Sequence, residues 1–128
     1  MERLFYYLDK AIELIEPYDI IQSKWDTRDI RYIEAFGRYV RFRVNGESTE
    51  LLSKSIREFE YLTKKYDFYR IHKSYIVNLK WVNKVTMINN KRRCLVKIED
   101  KELPVSYRRI PDFQKCYNDY CRKRARFI

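Results

Sequence analysis

Only two glycines and three prolines occur in 128 residues. That scarcity argues against long flexible linkers and low-complexity segments. No uncharged apolar run approaches the roughly 18 or more residues a membrane helix needs, so no span is expected. The start, Met1-Glu2-Arg3, leads into mixed apolar and charged residues and lacks the basic opening and unbroken apolar run of a secretory signal. Cysteines number three (Cys94, Cys116, Cys121). The count is odd and no C-x-x-C occurs, so neither a disulfide framework nor a zinc site is expected. A reducing cytoplasm fits this usage, with the cysteines as small apolar fillers. A single histidine, His72, leaves little for metal or proton chemistry. No metal, cofactor or catalytic centre is expected. The acidic run Glu99-Asp100-Lys101-Glu102 is the one feature that suggests a nuclease, and such runs in turns are usually solvated charge.

What is present is charge and apolar mass. Hydrophobic residues make up 45% and aromatic residues 16%, enough for one packed domain. The formal net charge is +10. Residues 1–23 hold two basic and five acidic side chains, a net of −3, which leaves +13 on the remainder. A strongly basic domain behind an acidic segment points to a polyanion, nucleic acid ahead of a membrane surface. Arginines gather at 41–43, 92–93, 108–109 and 122–126, and their planar donor forks suit phosphate and guanine edges.

Periodicity divides the chain into an N-terminal amphipathic helix, residues 1–17, and a strand-rich domain, residues 18–128. Leu4, Leu8, Ala11 and Ile15 recur at helical spacing before Pro17. Strands are expected at Ile30–Ala35 and Val40–Val44, then a hairpin turn at Asn45-Gly46 and a return over Glu47–Leu51. A helix is expected over Ser53–Tyr66, where Ser55-x-x-Glu58 has capping-box spacing and Ser53 competes for the cap. Strands follow at Phe68–Ile71, Trp81–Ile88, Arg93–Ile98 and Leu103–Val105, with turns at Asn89-Asn90-Lys91 and Glu99-Asp100. A last helix begins near Ile110, with Pro111 in its first turn. The order predicts a mainly β fold of antiparallel strands with helices at its margins.

Three ordered blocks carry a family resemblance. Phe68-Tyr69-Arg70-Ile71-His72-Lys73-Ser74-Tyr75-Ile76-Val77-Asn78 resembles the F-x-R-x-H-(R/K/N)-S-(Y/F)-(L/I/V)-V-N hallmark of LytTR domains. Ile30–Ala35 with Gly37-Arg38-Tyr39-Val40 is similar to the family's I-x-Y-I-E-A segment, and Leu103–Arg109 to its closing L-P-V-S-R-R. The match spans about residues 18–121. The resemblance implies a ten-stranded β fold that inserts loops, not a recognition helix, into successive major grooves of duplex DNA. It implies a response-regulator output domain that binds promoter repeats as a homodimer, behind a receiver domain. The alternative is a stand-alone LytTR protein that sequesters a partner regulator.

Carried over by position, Arg38, Lys73 and Arg108 are the expected base-contacting residues. An arginine donates two hydrogen bonds to guanine O6 and N7, and lysine does so less rigidly. His72, Ser74, Asn78, Lys91, Arg92, Arg93 and Arg109 are expected to contact phosphate or support the loops. His72 is expected to orient the loop that carries Lys73, and Asn78 to shape a turn. Tyr107 stands where the family commonly has arginine, which removes one cation and offers an apolar or hydroxyl contact.

Overall fold

A computed structural model describes residues 26–49 and 51–125. The expected helix over residues 1–17 lies outside them. Eight strands form two antiparallel sheets. The first sheet holds β1 (Ile30–Phe36), β2 (Tyr39–Val44), β3 (Glu47–Ser48), β4 (Phe68–His72) and β5 (Tyr75–Asn78), in the order β3-β2-β1-β5-β4. The second holds β6 (Lys84–Ile88), β7 (Arg93–Ile98) and β8 (Lys101–Pro104), as a meander. Two helices, α1 (Leu62–Lys65) and α2 (Ile110–Ala125), stand at the margins. The mainly β, antiparallel architecture agrees with the sequence. The strand count among the described residues is eight, where the resemblance implies ten.

The five-stranded sheet is covered on both faces, and alternation along its central strands decides which side chain goes where. Ile33 and Ile76 point to one cluster, with Val40, Phe42, Ile56, Phe59 and Leu62. Their neighbours Tyr32 and Val77 point to the other, with Val96, Ile98, Leu103 and Phe113 from the second sheet and α2. Burial of all four residues Ile30–Ile33, Arg31 among them, follows from this double cover. The ring of Phe42 meets Phe59 edge-on, 5.2 Å between centroids, a geometry that adds about 0.5–1.5 kcal/mol beyond the area buried.

The helix expected over Ser53–Tyr66 is broken. A 3₁₀ turn, Ile56–Phe59, precedes the one-turn α1. Ser55, not Ser53, is the cap. Its hydroxyl accepts from the Arg57 amide, and its own amide donates to Glu58 Oε2 at 2.8 Å. Ile56, Phe59 and Leu62 are spaced by three, the period of a 3₁₀ turn, and all three are buried. Residues 79–81 are likewise a 3₁₀ turn rather than the start of β6. Asn78 Oδ1 accepts from the Lys80 amide and the Trp81 indole donates to the Arg28 carbonyl at 2.7 Å, which bends the chain out of strand geometry.

Register fixes which turns share an end of the molecule. β1 pairs β5 antiparallel, Tyr32 opposite Val77 and Glu34 opposite Tyr75. The β1–β2 turn (Gly37-Arg38) and the β4–β5 turn (Lys73-Ser74) therefore lie at the same end. Beyond β4, the Ser106 amide donates to the Ile71 carbonyl, and Val105 donates to Cys94 at the start of β7. The closing segment and the β6–β7 turn thus line up at that end too. The opposite end carries Asn45-Gly46 and Glu99-Asp100.

Candidate nucleic-acid interface

The shared end presents four short turns in a row. Phe36 pairs with Tyr39, leaving Gly37-Arg38 as a two-residue turn with Gly37 at φ +57°. His72 pairs with Tyr75 around Lys73-Ser74. With neighbouring strands about 4.8 Å apart, these two turns are centred about 10 Å from each other. Next comes the 3₁₀ turn Tyr107–Arg109. Beyond it is the β6–β7 tip, where Asn89, Asn90 and Lys91 all take positive φ.

Arg38, Lys73, Lys91, Arg92, Arg93 and Arg108 are all exposed there. None is in an ion pair among the described residues, whereas most other arginines are. Arg43 donates to Glu99 at 2.9 Å and to Asp100 at 3.3 Å. Arg31, buried, lies 3.7 Å from Glu99, and its guanidinium stacks 3.6 Å from the Trp81 ring centroid. Arg41 donates to Glu34 at 3.1 Å, and the Tyr75 hydroxyl donates to the same carboxylate at 3.0 Å. Burial and that carboxylate push the Tyr75 phenol up to about 12. The 41–43 cluster, grouped by the sequence with the phosphate binders, is thus held by the protein's own acids. Arg122–Arg124 cap the C-terminal end of α2, where cations suit the helix dipole. That end sits by Asp67 and Lys80, away from the four turns. Glu99 and Asp100, the suspected nuclease acids, are spent on arginines, and no metal-holding cluster occurs among the described residues.

The Lys73 turn is the most heavily braced of the four. Ile71 is an extra residue between the pairs Arg70–Ile76 and His72–Tyr75, a bulge of the kind that re-aims neighbouring side chains. Arg70 wraps the turn. It donates to the Lys73 carbonyl at 2.7 Å and the His72 carbonyl at 3.3 Å, and its other nitrogen pairs with Glu60. The Ser74 carbonyl accepts from the Ala35 amide at 2.9 Å, which ties this turn to the one bearing Arg38. Arg109 donates to the Arg70 carbonyl at 3.3 Å, so its guanidinium joins the closing segment to β4. Sequence reasoning missed Arg70. Its fixed place in the hallmark was the available signal, because an arginine can satisfy two turn carbonyls and a carboxylate at once.

His72 accepts the Ser74 amide at Nδ1, 3.1 Å, so the neutral ring carries its proton on Nε2. Burial, then the charges of Lys73, Arg109 and Arg70, hold its pKa below the ordinary 6.5. The unfolded chain therefore takes up this proton first. The contribution is complete above about pH 6.5 and falls as pH drops toward the lower folded value. In His72→Asn, Oδ1 can accept the same amide without titrating. Urea midpoints should fall further between pH 7.5 and 5 for the native chain than for this variant. Equal falls would contradict the geometry.

Asn78 shapes a turn, as expected. It is buried at the far end of β5, where its amide donates to the Ile30 carbonyl at 3.0 Å and its Oδ1 caps the 79–81 turn. It stands at the end of β5 away from Lys73, so the turn it supports is the one at 79–81 and not the loop that carries Lys73. Strand β5 puts three residues between Ser74 and that site.

A family model described as the LytTr DNA-binding domain matches residues 23–118. The chain belongs to the LytTR family. A solved structure, the LytTr DNA-binding domain of a methyl-accepting/DNA response regulator from Bacillus cereus, is similar at 26% identity and a TM-score of 0.61. The alignment covers 70% of this chain and 81% of that one. A comparison with curated proteins gives no match. The LytTR domain is a DNA-binding domain and belongs to no enzyme family. No helix among the described residues is long and apolar enough to cross a membrane.

Proposed function

We propose that this LytTR domain binds duplex DNA sequence-specifically in bacterial transcription control, with its four basic turns as the DNA face. The convergence of Arg38, Lys73, Arg108 and the 91–93 tip on one end, with none of them in an ion pair among the described residues, carries the reading. Arg38, Lys73 and Arg108 reach base edges in successive major grooves. Ser74, Lys91, Arg92, Arg93 and Arg109 hold phosphates, and His72 keeps the central turn in shape. Phosphate contacts fix register and base contacts select sequence. Short two-residue turns suit this work, since the strands beneath hold them rigidly.

The domain acts in the cytoplasm as the output half of a response regulator, with the receiver domain upstream in the full-length protein. Two copies on adjacent promoter repeats bind through linkage as well as contact, so a single copy binds modestly. The test is selection from a random duplex pool, then gel shift on the recovered sequence. A consensus with one or two half-sites is expected. Recovery of no consensus, alongside a stable complex with another regulator, contradicts the proposal and favours sequestration.

A further inference from the structure

Four large apolar side chains are exposed among the described residues: Phe36 (40%), Tyr39 (45%), Leu51 (46%) and Tyr107 (68%). Single exposed apolar residues are ordinary on protein surfaces. Their distribution here is not, because three of the four stand on the end that bears the basic turns. Phe36 already carries the Arg41 guanidinium 4.5 Å from its ring centroid. Tyr107 is the most exposed and immediately precedes Arg108.

The support beneath Tyr107 is rigid. The Ser106 amide before it is fixed to Ile71, the Arg109 amide closes back on Ser106, and the Arg109 side chain holds Arg70. The Tyr107 carbonyl accepts from Ile110 at the start of α2. A side chain on such a base loses little backbone freedom on binding. Consecutive side chains leave a 3₁₀ turn about 120° apart, so Tyr107 and Arg108 cannot share one base edge.

Within the reading of this end as the DNA face, we propose that Tyr107 is a specificity-determining residue that packs its ring on a thymine C5-methyl beside the base pair read by Arg108. The methyl is the apolar group that the major-groove edges of the bases offer, and it separates thymine from cytosine there. A ring in place of a cation at this position exchanges salt-dependent phosphate affinity for discrimination at one base pair. The same contact would accept 5-methylcytosine, which presents the same methyl.

The test uses the full chain and the duplex it selects from a random pool. Each thymine is replaced singly by deoxyuridine, and binding is followed by fluorescence anisotropy for the native chain, Tyr107→Phe and Tyr107→Ala. One position is expected at which methyl removal weakens the native chain and Tyr107→Phe by about fourfold, the value of one buried methyl group. Tyr107→Ala should be indifferent to that methyl. The inference is overturned if no thymine shows the effect, if Tyr107→Ala shows it equally, or if Tyr107→Phe binds as weakly as Tyr107→Ala, which would assign the contact to the hydroxyl. A pool that yields no consensus instead sinks the DNA-binding proposal itself.

Discussion

Raising salt from 50 to 200 mM should weaken DNA binding by this domain about a thousandfold or more. Each phosphate neutralised by a lysine or arginine releases condensed counterions, and log K falls against log[salt] by about 0.9 per contact on duplex DNA. Six exposed cations stand at the shared end, with Arg109 beside them, and those that read bases also bring their charge against the flanking phosphates. About five to eight phosphate contacts give a slope of about −5 to −7. The net charge of +10 does not set this number. Arg41, Arg43 and Arg122 are occupied by Glu34, by Glu99 with Asp100, and by Asp119. Anisotropy titrations at four or five salt concentrations measure the slope. A slope shallower than about −2 would mean that the turns do not lie along the phosphate backbone.

Arg108→Ala should cost about 1–3 kcal/mol on the preferred sequence and relax discrimination at one base pair. The guanidinium is exposed on the clamped 107–109 turn and pairs with no carboxylate among the described residues. Its removal therefore leaves the fold intact, and the loss belongs to the complex. Lys91→Ala is the contrasting variant. Lys91 sits on a solvent-exposed tip, and its loss should weaken all sequences alike and make the salt slope shallower by about 1. Competition with single-base variants of the selected duplex separates the two patterns. Uniform weakening by Arg108→Ala would reduce that residue to a phosphate anchor.

The sequence exposed the strands and hairpins because alternation and turn chemistry are local signals. Asn45-Gly46 takes the two positive φ values its composition suggests, and Val40 and Phe42 are buried between half-exposed Arg41 and Arg43. Pairings across long separations were not legible. Nothing local in Arg43 or Glu99 announces that 56 residues later one clamps the other. For that reason the 41–43 cluster read as DNA-binding charge. The broken 53–66 segment had a similar cause, since spacings of three and four overlap until packing against the sheet selects one. The basic turns at 38, 73, 91–93 and 108 were individually visible. Their alignment at one end is a property of register.

That alignment is the central claim, and amide chemical-shift mapping on addition of the selected duplex tests it most directly. Shifts are expected at residues 37–38, 73–74, 90–93 and 106–109, with the turns at 45–46 and 99–100 unmoved. Shifts concentrated at 45–46, 99–100 or the C-terminal turn of α2 would place the DNA on the other end and contradict the assignment.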